Sequence, residues 1–310
     1  MSQNNPLSAI LDKQDFLLLD GAMATELEAR GCNLADSLWS AKVLVENPEL
    51  IREVHLDYYR AGAQCAITAS YQATPAGFAA RDLDEAQSKA LIGKSVELAR
   101  KAREAYLAEN PQAGTLLVAG SVGPYGAYLA DGSEYRGDYQ RSAEEFQAFH
   151  RPRVEALLDA GADLLACETL PNFAEISALA ELLTAYPRAR AWFSFTLRDS
   201  EHLSDGTPLR DVVALLADYP QVVALGINCI ALENTTAALQ HLHSLTALPL
   251  VVYPNSGEQY DAVSKTWHHH GEHCAHLADY LPQWQAAGAR LIGGCCRTTP
   301  EDIAALKARS

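Results

Sequence analysis

The sequence predicts an α/β fold, a single (β/α)8 barrel of the TIM type. Three observations predict it: eight short apolar runs each followed by a helix-like segment, a repeated Ala-Gly-Ala junction, and long connections only after strands. The runs are FLLLD (16–20), CAITAS (65–70), TLLVAGS (115–121), DLLACE (163–168), AWFSFT (191–196), VVALGINC (222–229), LVVYPN (250–255) and ARLIGGC (289–295). Near-continuous apolar runs suit parallel strands buried on both faces. The segments between them space their apolar residues by three and four, as at Leu91, Val96, Ala99, Ala102 and Tyr106, which is the helical repeat. Ala61-Gly62-Ala63, Ala160-Gly161-Ala162 and Ala287-Gly288-Ala289 each place a glycine where a helix must end in a left-handed residue before the next strand. Residues 122–141 and 256–275 form the long strand-to-helix connections, on the face where barrel active sites lie. No linker or shift in composition divides the chain, so 1–310 reads as one domain.

Composition removes several classes of function. With 24 Lys+Arg against 39 Asp+Glu the net charge is −15, which argues against nucleic acid and anionic membrane as partners. No apolar run reaches the roughly 18 residues of a spanning helix, and the N-terminus lacks the basic and apolar regions of a signal peptide. The expected compartment is therefore the cytoplasm, where the seven cysteines signify metal binding, catalysis or packing before disulfides. Oligomeric state is not legible.

Cysteine carries the chemistry. Cys229 ends the sixth run in GINC, and Cys295-Cys296 end the eighth in GGCC. Tips of alternate strands aim into the same barrel mouth, and three thiolates around one point form an open zinc site with a position left for substrate or water. Consecutive strand residues face opposite ways, so Cys295 and Cys296 serve together only where the strand has already become loop. Gly293-Gly294 permits that departure. The alternatives are inert thiols or a strained disulfide between the neighbours Cys295 and Cys296. Cys32, Cys65 and Cys167 have no partner pattern and read as inert packing. The crowd of His268, His269, His270, His273, Cys274 and His276 reads as a solvated loop and first helical turn, since no distant third ligand accompanies it.

GINC, then GGCCRTTP 66 positions after its cysteine, together with an early DGAMATELE and a central ACETLPN, resembles the homocysteine S-methyltransferases. The similarity runs from about Leu17 to Pro300 and is greatest to the short form of the family that uses S-methylmethionine. It implies Zn2+ on Cys229, Cys295 and Cys296, and an ammonium of homocysteine held by Asp20 and Glu168. It implies neither cobalamin nor folate, because the segments that accompany them in larger relatives are missing. Both carboxylates sit at strand C-termini facing the mouth, where an ammonium offsets their desolvation. The amides of Ala22 and Met23, where the chain enters a helix, suit the substrate carboxylate, and Asn255 at the end of the seventh run is a further candidate. Tyr125 and Tyr128, in the tyrosine-rich segment after the third run, are candidates for a methylsulfonium donor, since aromatic faces attract cations.

The resemblance implies methyl transfer from S-methylmethionine or S-adenosylmethionine to a homocysteine thiolate, giving methionine. The non-enzymatic alternative is a thiol-redox or zinc-binding protein without methyl transfer. A Schiff-base aldolase needs a lysine at a strand tip, and none of the eight tips has one.

Overall fold

The computed structural model describes residues 5–257, 259–261, 266–268 and 276–310, and every expected run contains a strand. In chain order they are β1 (Leu17–Leu18), β2 (Cys65–Ile67), β3 (Leu117–Val122), β4 (Leu164–Leu170), β5 (Ala191–Phe195), β6 (Val222–Asn228), β7 (Leu250–Tyr253) and β8 (Ala289–Ile292). All pair in parallel with their chain neighbours, and β1 pairs with β8 at Leu17–Leu291 and Leu18–Ile292. A bridge between Leu19 and Cys65, reinforced by the Asp20 N–H donating to the Cys65 carbonyl at 3.1 Å, joins β1 to β2 and closes the ring.

Alternation along each strand sorts its residues into two cores. Leu17, Leu19, Ala119, Ala166, Trp192 and Val251 pack inside the barrel, whereas Leu18, Val118, Leu165, Phe193, Leu225 and Val252 pack outward under the helices. The same alternation puts Cys65 inside and Cys167 outside, both buried and free, as inert packing requires. Leu7, Ile10 and Leu11 of the N-terminal segment join the inner core. Arg290 of β8 anchors that segment by donating to the Leu11 carbonyl at 2.8 Å and the Asp15 carbonyl at 2.9 Å.

Eight helices follow the strands: α1 (Pro48–Arg60), α2 (Glu85–Glu109), α3 (Ala143–Asp159), α4 (Phe173–Leu183), α5 (Leu209–Leu216), α6 (Thr235–Leu245), α7 (Leu277–Ala286) and α8 (Pro300–Lys307). The three Ala-Gly-Ala junctions behave as expected, with φ of +112° at Gly62 and +90° at Gly161 and Gly288. At the first, the Gly62 N–H donates to the Tyr59 carbonyl and the Ala63 N–H to the Tyr58 carbonyl, both at 3.0 Å, which satisfies the last carbonyls of α1. The expected long connection after β3 carries a short helix (Tyr125–Tyr128) and a single tight turn (Ser133–Tyr135). A further long connection, not among the two expected, follows β1 and carries the helices Met23–Ala29 and Ser40–Glu46, while most of the expected connection 256–275 lies outside the described residues.

Among the described glycines, Gly226 of β6 leaves the least room, for an added Cβ would fall inside the envelope of the Val251 carbonyl oxygen on β7. Backbone on a paired strand cannot give way as a flexible side chain does. Gly226→Ala should therefore lose about 3 kcal/mol of stability or fail to fold, as read by urea unfolding. An unchanged midpoint would show that β6 and β7 can separate.

Candidate metal centre and substrate cavity

Cys229 follows β6 directly and has a left-handed backbone, φ +52°, which turns the chain out of the strand. β8 ends at Ile292, so Gly293 through Cys296 are already loop, as joint service by Cys295 and Cys296 requires. An added Cβ at Gly293 would lie 2.6 Å from Leu19 Cβ, so only glycine allows this approach. The three sulfurs lie within 4.8 Å of one another. Cys229 and Cys295 are joined as a disulfide, and the Cys296 sulfur stands 4.0 Å from that of Cys229. The pairing thus differs from the expected alternative between Cys295 and Cys296. Cys229 and Cys295 have Cα atoms 5.6 Å apart, the ordinary span of a disulfide, whereas neighbouring residues must close a strained ring. Burial pushes the remaining Cys296 thiol up to about 11, so it holds its proton at neutral pH unless a cation takes its place.

The sulfurs form part of the wall of a cavity of about 430 Å³. Asp20 and Glu168 also line it, buried at 3% and 7% exposure, so the structure brings both expected carboxyls to the same chamber as the cysteines. Asp20 accepts the Ile67 N–H at 2.9 Å. Glu168 accepts the Tyr253 hydroxyl at 3.0 Å through one oxygen and the Ser121 hydroxyl through the other. None of these donors is a cation. Burial holds Asp20 well above the usual carboxylate range, and the nearby Glu168 charge adds to the effect. Burial likewise raises Glu168 to about 7, against the pull of its bonds from Ser121 and Tyr253.

Other expected residues fare differently. Met23 opens the helix Met23–Ala29 and lines the cavity. Ala22 lines it too, but its N–H is already given to Thr298 Oγ1 at 3.1 Å, which removes it as a carboxylate donor. Asn255 is not among the described residues that line the cavity, and its buried side-chain oxygen has no hydrogen-bond partner among the described residues. Tyr125 and Tyr128 are not among the described residues that line it either. They pack into an aromatic cluster with Tyr139, Phe146 and Phe149, and Arg141 lies over the Tyr125 ring at 5.3 Å. Amphipathic tyrosines in a long connection satisfy either setting, and alternation gives no register outside a strand.

The aromatic wall comes instead from Trp39, stacked on Tyr71 with centroids 6.2 Å apart, and from Tyr135. Trp39 belongs to the unanticipated connection after β1, where a tryptophan in the loop sequence ADSLWS was the available signal. Among the described residues six non-glycine positions have positive φ, and four of them, Trp39, Thr169, Cys229 and Arg297, line the cavity. Left-handed backbone at non-glycine positions is strained and gathers where side chains must be aimed. Of the histidine-rich stretch, His276 begins α7, its N–H donating to Asp279 at 3.1 Å. His269, His270, His273 and Cys274 lie outside the described residues, as does the side chain of His268.

Comparison with known proteins agrees with this arrangement. The profile of the homocysteine S-methyltransferase family matches residues 17–310. The chain is 95% identical over 310 residues to the homocysteine S-methyltransferase of Escherichia coli K12, covering 100% of both. It is 54% identical over 306 residues to the homocysteine S-methyltransferase YbgG of Bacillus subtilis, covering 96% of both. Crystal structures of the homocysteine methyltransferase MmuM from E. coli, in metallated and oxidized forms, each superpose with a TM-score of 0.92. Each shows 89% identity over 99% of this chain and 100% of that one. Among the described residues no helix is long and apolar enough to cross a membrane.

The raised Glu168 carboxyl makes stability depend on pH. A folded value above the unfolded one means that the native state binds the extra proton, so its contribution is present below about 4.5 and is lost as pH rises towards 7. Glu168→Gln should remove that slope and raise stability at pH 8 by about 1–2 kcal/mol, part of the gain being offset by a lost acceptor. Thermal unfolding of both proteins from pH 4.5 to 8 checks this, and parallel curves would refute it.

Proposed function

The chain belongs to the homocysteine S-methyltransferase family, and we propose that it takes its methyl group from S-methylmethionine and works with a zinc ion on Cys229, Cys295 and Cys296. The whole of 1–310 serves as one homocysteine-binding barrel domain in this reading, with neither cobalamin nor folate. The observation that carries it is the meeting of three cysteine sulfurs, two buried carboxyls and an aromatic stack around one cavity. Three sulfurs from two chain segments are the donor set of an open zinc site, once the Cys229–Cys295 bond is reduced. The metallated and oxidized forms of the E. coli relative support that two-state reading. Family membership sets aside the alternative of a thiol-redox or zinc-binding protein without methyl transfer.

Asp20 and Glu168 hold the homocysteine ammonium, whose charge offsets their desolvation and draws both into the ionised form. The start of the helix at Met23 receives the substrate carboxylate. When bound, zinc supplies the Lewis acidity that keeps a thiol sulfur deprotonated near pH 7. The stacked Trp39 and Tyr71, with Tyr135, present aromatic faces to the sulfonium of the donor. The homocysteine thiolate then attacks the sulfonium methyl carbon in line. A new S–C bond forms, the bond from methyl to donor sulfur breaks, and its electron pair returns to the donor sulfur. The leaving group is a neutral thioether, so no general acid is needed. With S-methylmethionine both products are methionine. The choice of S-methylmethionine over an adenosyl donor rests on the resemblance to the short form of the family.

The test is methionine formation from homocysteine by zinc-loaded protein, with S-methylmethionine and S-adenosylmethionine offered separately at equal concentration. Faster turnover with S-methylmethionine is expected, and the reverse order would overturn the donor assignment. Cys229→Ser should lose bound zinc, measured by metal analysis, together with roughly 100-fold or more of turnover. Full metal content and activity in that variant would sink the metal assignment.

A further inference from the structure

β4 carries one residue more than its neighbour can pair. Cys167 pairs with Phe193 and Leu170 with Phe195, so Glu168 and Thr169 together face the single residue Ser194 of β5. Such a bulge redirects the side chains around it and is common beside active sites. Here it lets two consecutive residues, Glu168 and Thr169, line the cavity, and it returns Leu170 to the outer core. The strain falls on Thr169, whose φ is +59°. A β-branched residue with a left-handed backbone persists only where its surroundings hold it. The holder is Asn228, which reaches across β5 from the end of β6. Its Oδ1 accepts the Thr169 N–H at 2.8 Å, and its Nδ2 donates to Thr169 Oγ1 at 2.8 Å. The hydroxyl of Ser194, the residue that faces the bulge, donates to the same Oδ1 at 2.7 Å. Asn228, Thr169 and Ser194 are all buried, so these bonds are not traded for bonds to water.

We propose that Asn228 is a positioning residue for the thiol substrate: by clamping Thr169 it fixes the Glu168 carboxyl at a set place relative to Cys229, the residue that follows Asn228 in the chain. The inference rests on the reading of Glu168 as a partner of the homocysteine ammonium. In homocysteine three carbons separate the ammonium nitrogen from the sulfur, so a carboxyl and a sulfur centre that hold its two ends must keep a matching spacing. Ser121 and Tyr253 orient the Glu168 carboxyl, and Asn228 places the backbone that carries it. Without the clamp Thr169 relaxes out of the left-handed region and takes Glu168 with it. The sulfurs stay, because the Cys229 N–H is held by the Tyr253 carbonyl at 3.2 Å and the Cys295 N–H by the Pro254 carbonyl at 2.7 Å. Loss of the Asn228 side chain therefore acts on the ammonium end of the substrate and spares the sulfur end.

The experiment compares homocysteine with 4-mercaptobutanoate, its analogue without the amino group, by calorimetric titration of the zinc-loaded protein. Wild-type protein should bind homocysteine roughly 10- to 100-fold more tightly, the range of a charge-assisted bond. Asn228→Ala should lower that preference roughly 10-fold through weaker homocysteine binding alone, with the affinity for 4-mercaptobutanoate and the zinc content at wild-type values. Adding Thr169→Gly to Asn228→Ala should restore part of the preference, because glycine takes a positive φ without a clamp. A role confined to packing gives no such rescue. An unchanged preference in Asn228→Ala would overturn the proposal, and so would equal losses for the two thiols, a loss of zinc, or the absence of rescue. If Asn228→Ala does not fold, Thr169→Val carries the same comparison, since it keeps the branched shape and breaks the bond from Asn228 Nδ2, and Thr169→Ser should retain the preference. Glu168→Gln tests the premise separately. If it leaves the preference intact, the reading of Glu168 fails and the proposal with it; if it lowers the preference while Asn228→Ala does not, the proposal fails alone.

Discussion

The carbonyl edge at the end of β7 holds the sulfur centre together. Val252 accepts the Gly293 N–H at 3.0 Å, Tyr253 the Cys229 N–H at 3.2 Å, and Pro254 the Cys295 N–H at 2.7 Å. Cys229 and Cys295 are 66 residues apart and leave different strands, yet both take their position from the strand between them. This is possible only because the barrel closes. An open sheet would let β8 twist away, whereas pairing with β1 on its other side, and the Gly294 N–H donating to the Asp20 carbonyl at 3.1 Å, hold the GGCC loop over the mouth. One strand end therefore sets the geometry of the three sulfurs, and the same closure ties that geometry to Asp20.

β7 also reaches the carboxyls through its side chain. Tyr253 donates to Glu168 and accepts the Trp192 indole N–H at 3.1 Å. On the same level Asn228 accepts the Ser194 hydroxyl at 2.7 Å and the Thr169 N–H at 2.8 Å, and donates to Thr169 Oγ1 at 2.8 Å. These neutral bonds fix the inner wall without compensating the acids. Two carboxyls buried beside neutral donors are costly as anions, which is why both are raised. A cationic substrate group relieves that cost, so the cavity discriminates by charge at a place where water competes poorly.

The fold was legible because its signals are periodic and local. Eight apolar runs, three glycine junctions and the short returns to each strand follow from backbone and burial demands that any barrel must meet. The meeting of Cys229, Cys295, Cys296, Asp20 and Glu168 at one cavity was legible because strand ends in a barrel point to one mouth. What failed to show lies in connections, where no period assigns a face. Trp39 sits in the segment after β1 that was not recognised as a cavity wall, and of the tyrosines after β3 it is Tyr135, not Tyr125 or Tyr128, that reaches the cavity. The Ala22 amide was lost to a hydroxyl 276 residues away, a contact no local pattern reveals. The Cys229–Cys295 pairing was likewise hidden, since both sulfurs are set by a third strand.

A cluster of half-buried thiols has two ways to shed protons without leaving bare anions side by side. It can bind a cation, which compensates the thiolates, or it can join two sulfurs, which removes both charges and both protons on loss of two electrons. The arrangement that favours one also permits the other, because metal ligation needs sulfurs close to a common point and a disulfide needs two of them closer still. Cys229 and Cys295 arrive from different strands with a Cα spacing that allows the bond, while Cys296 is left as a thiol raised by burial. The third sulfur is thus the one whose state differs in kind between the two arrangements, a protonated neighbour of a disulfide in one and a full ligand in the other. Oxidation of the pair takes two of the three candidate ligands at once and leaves a single thiol, which could not hold a metal alone.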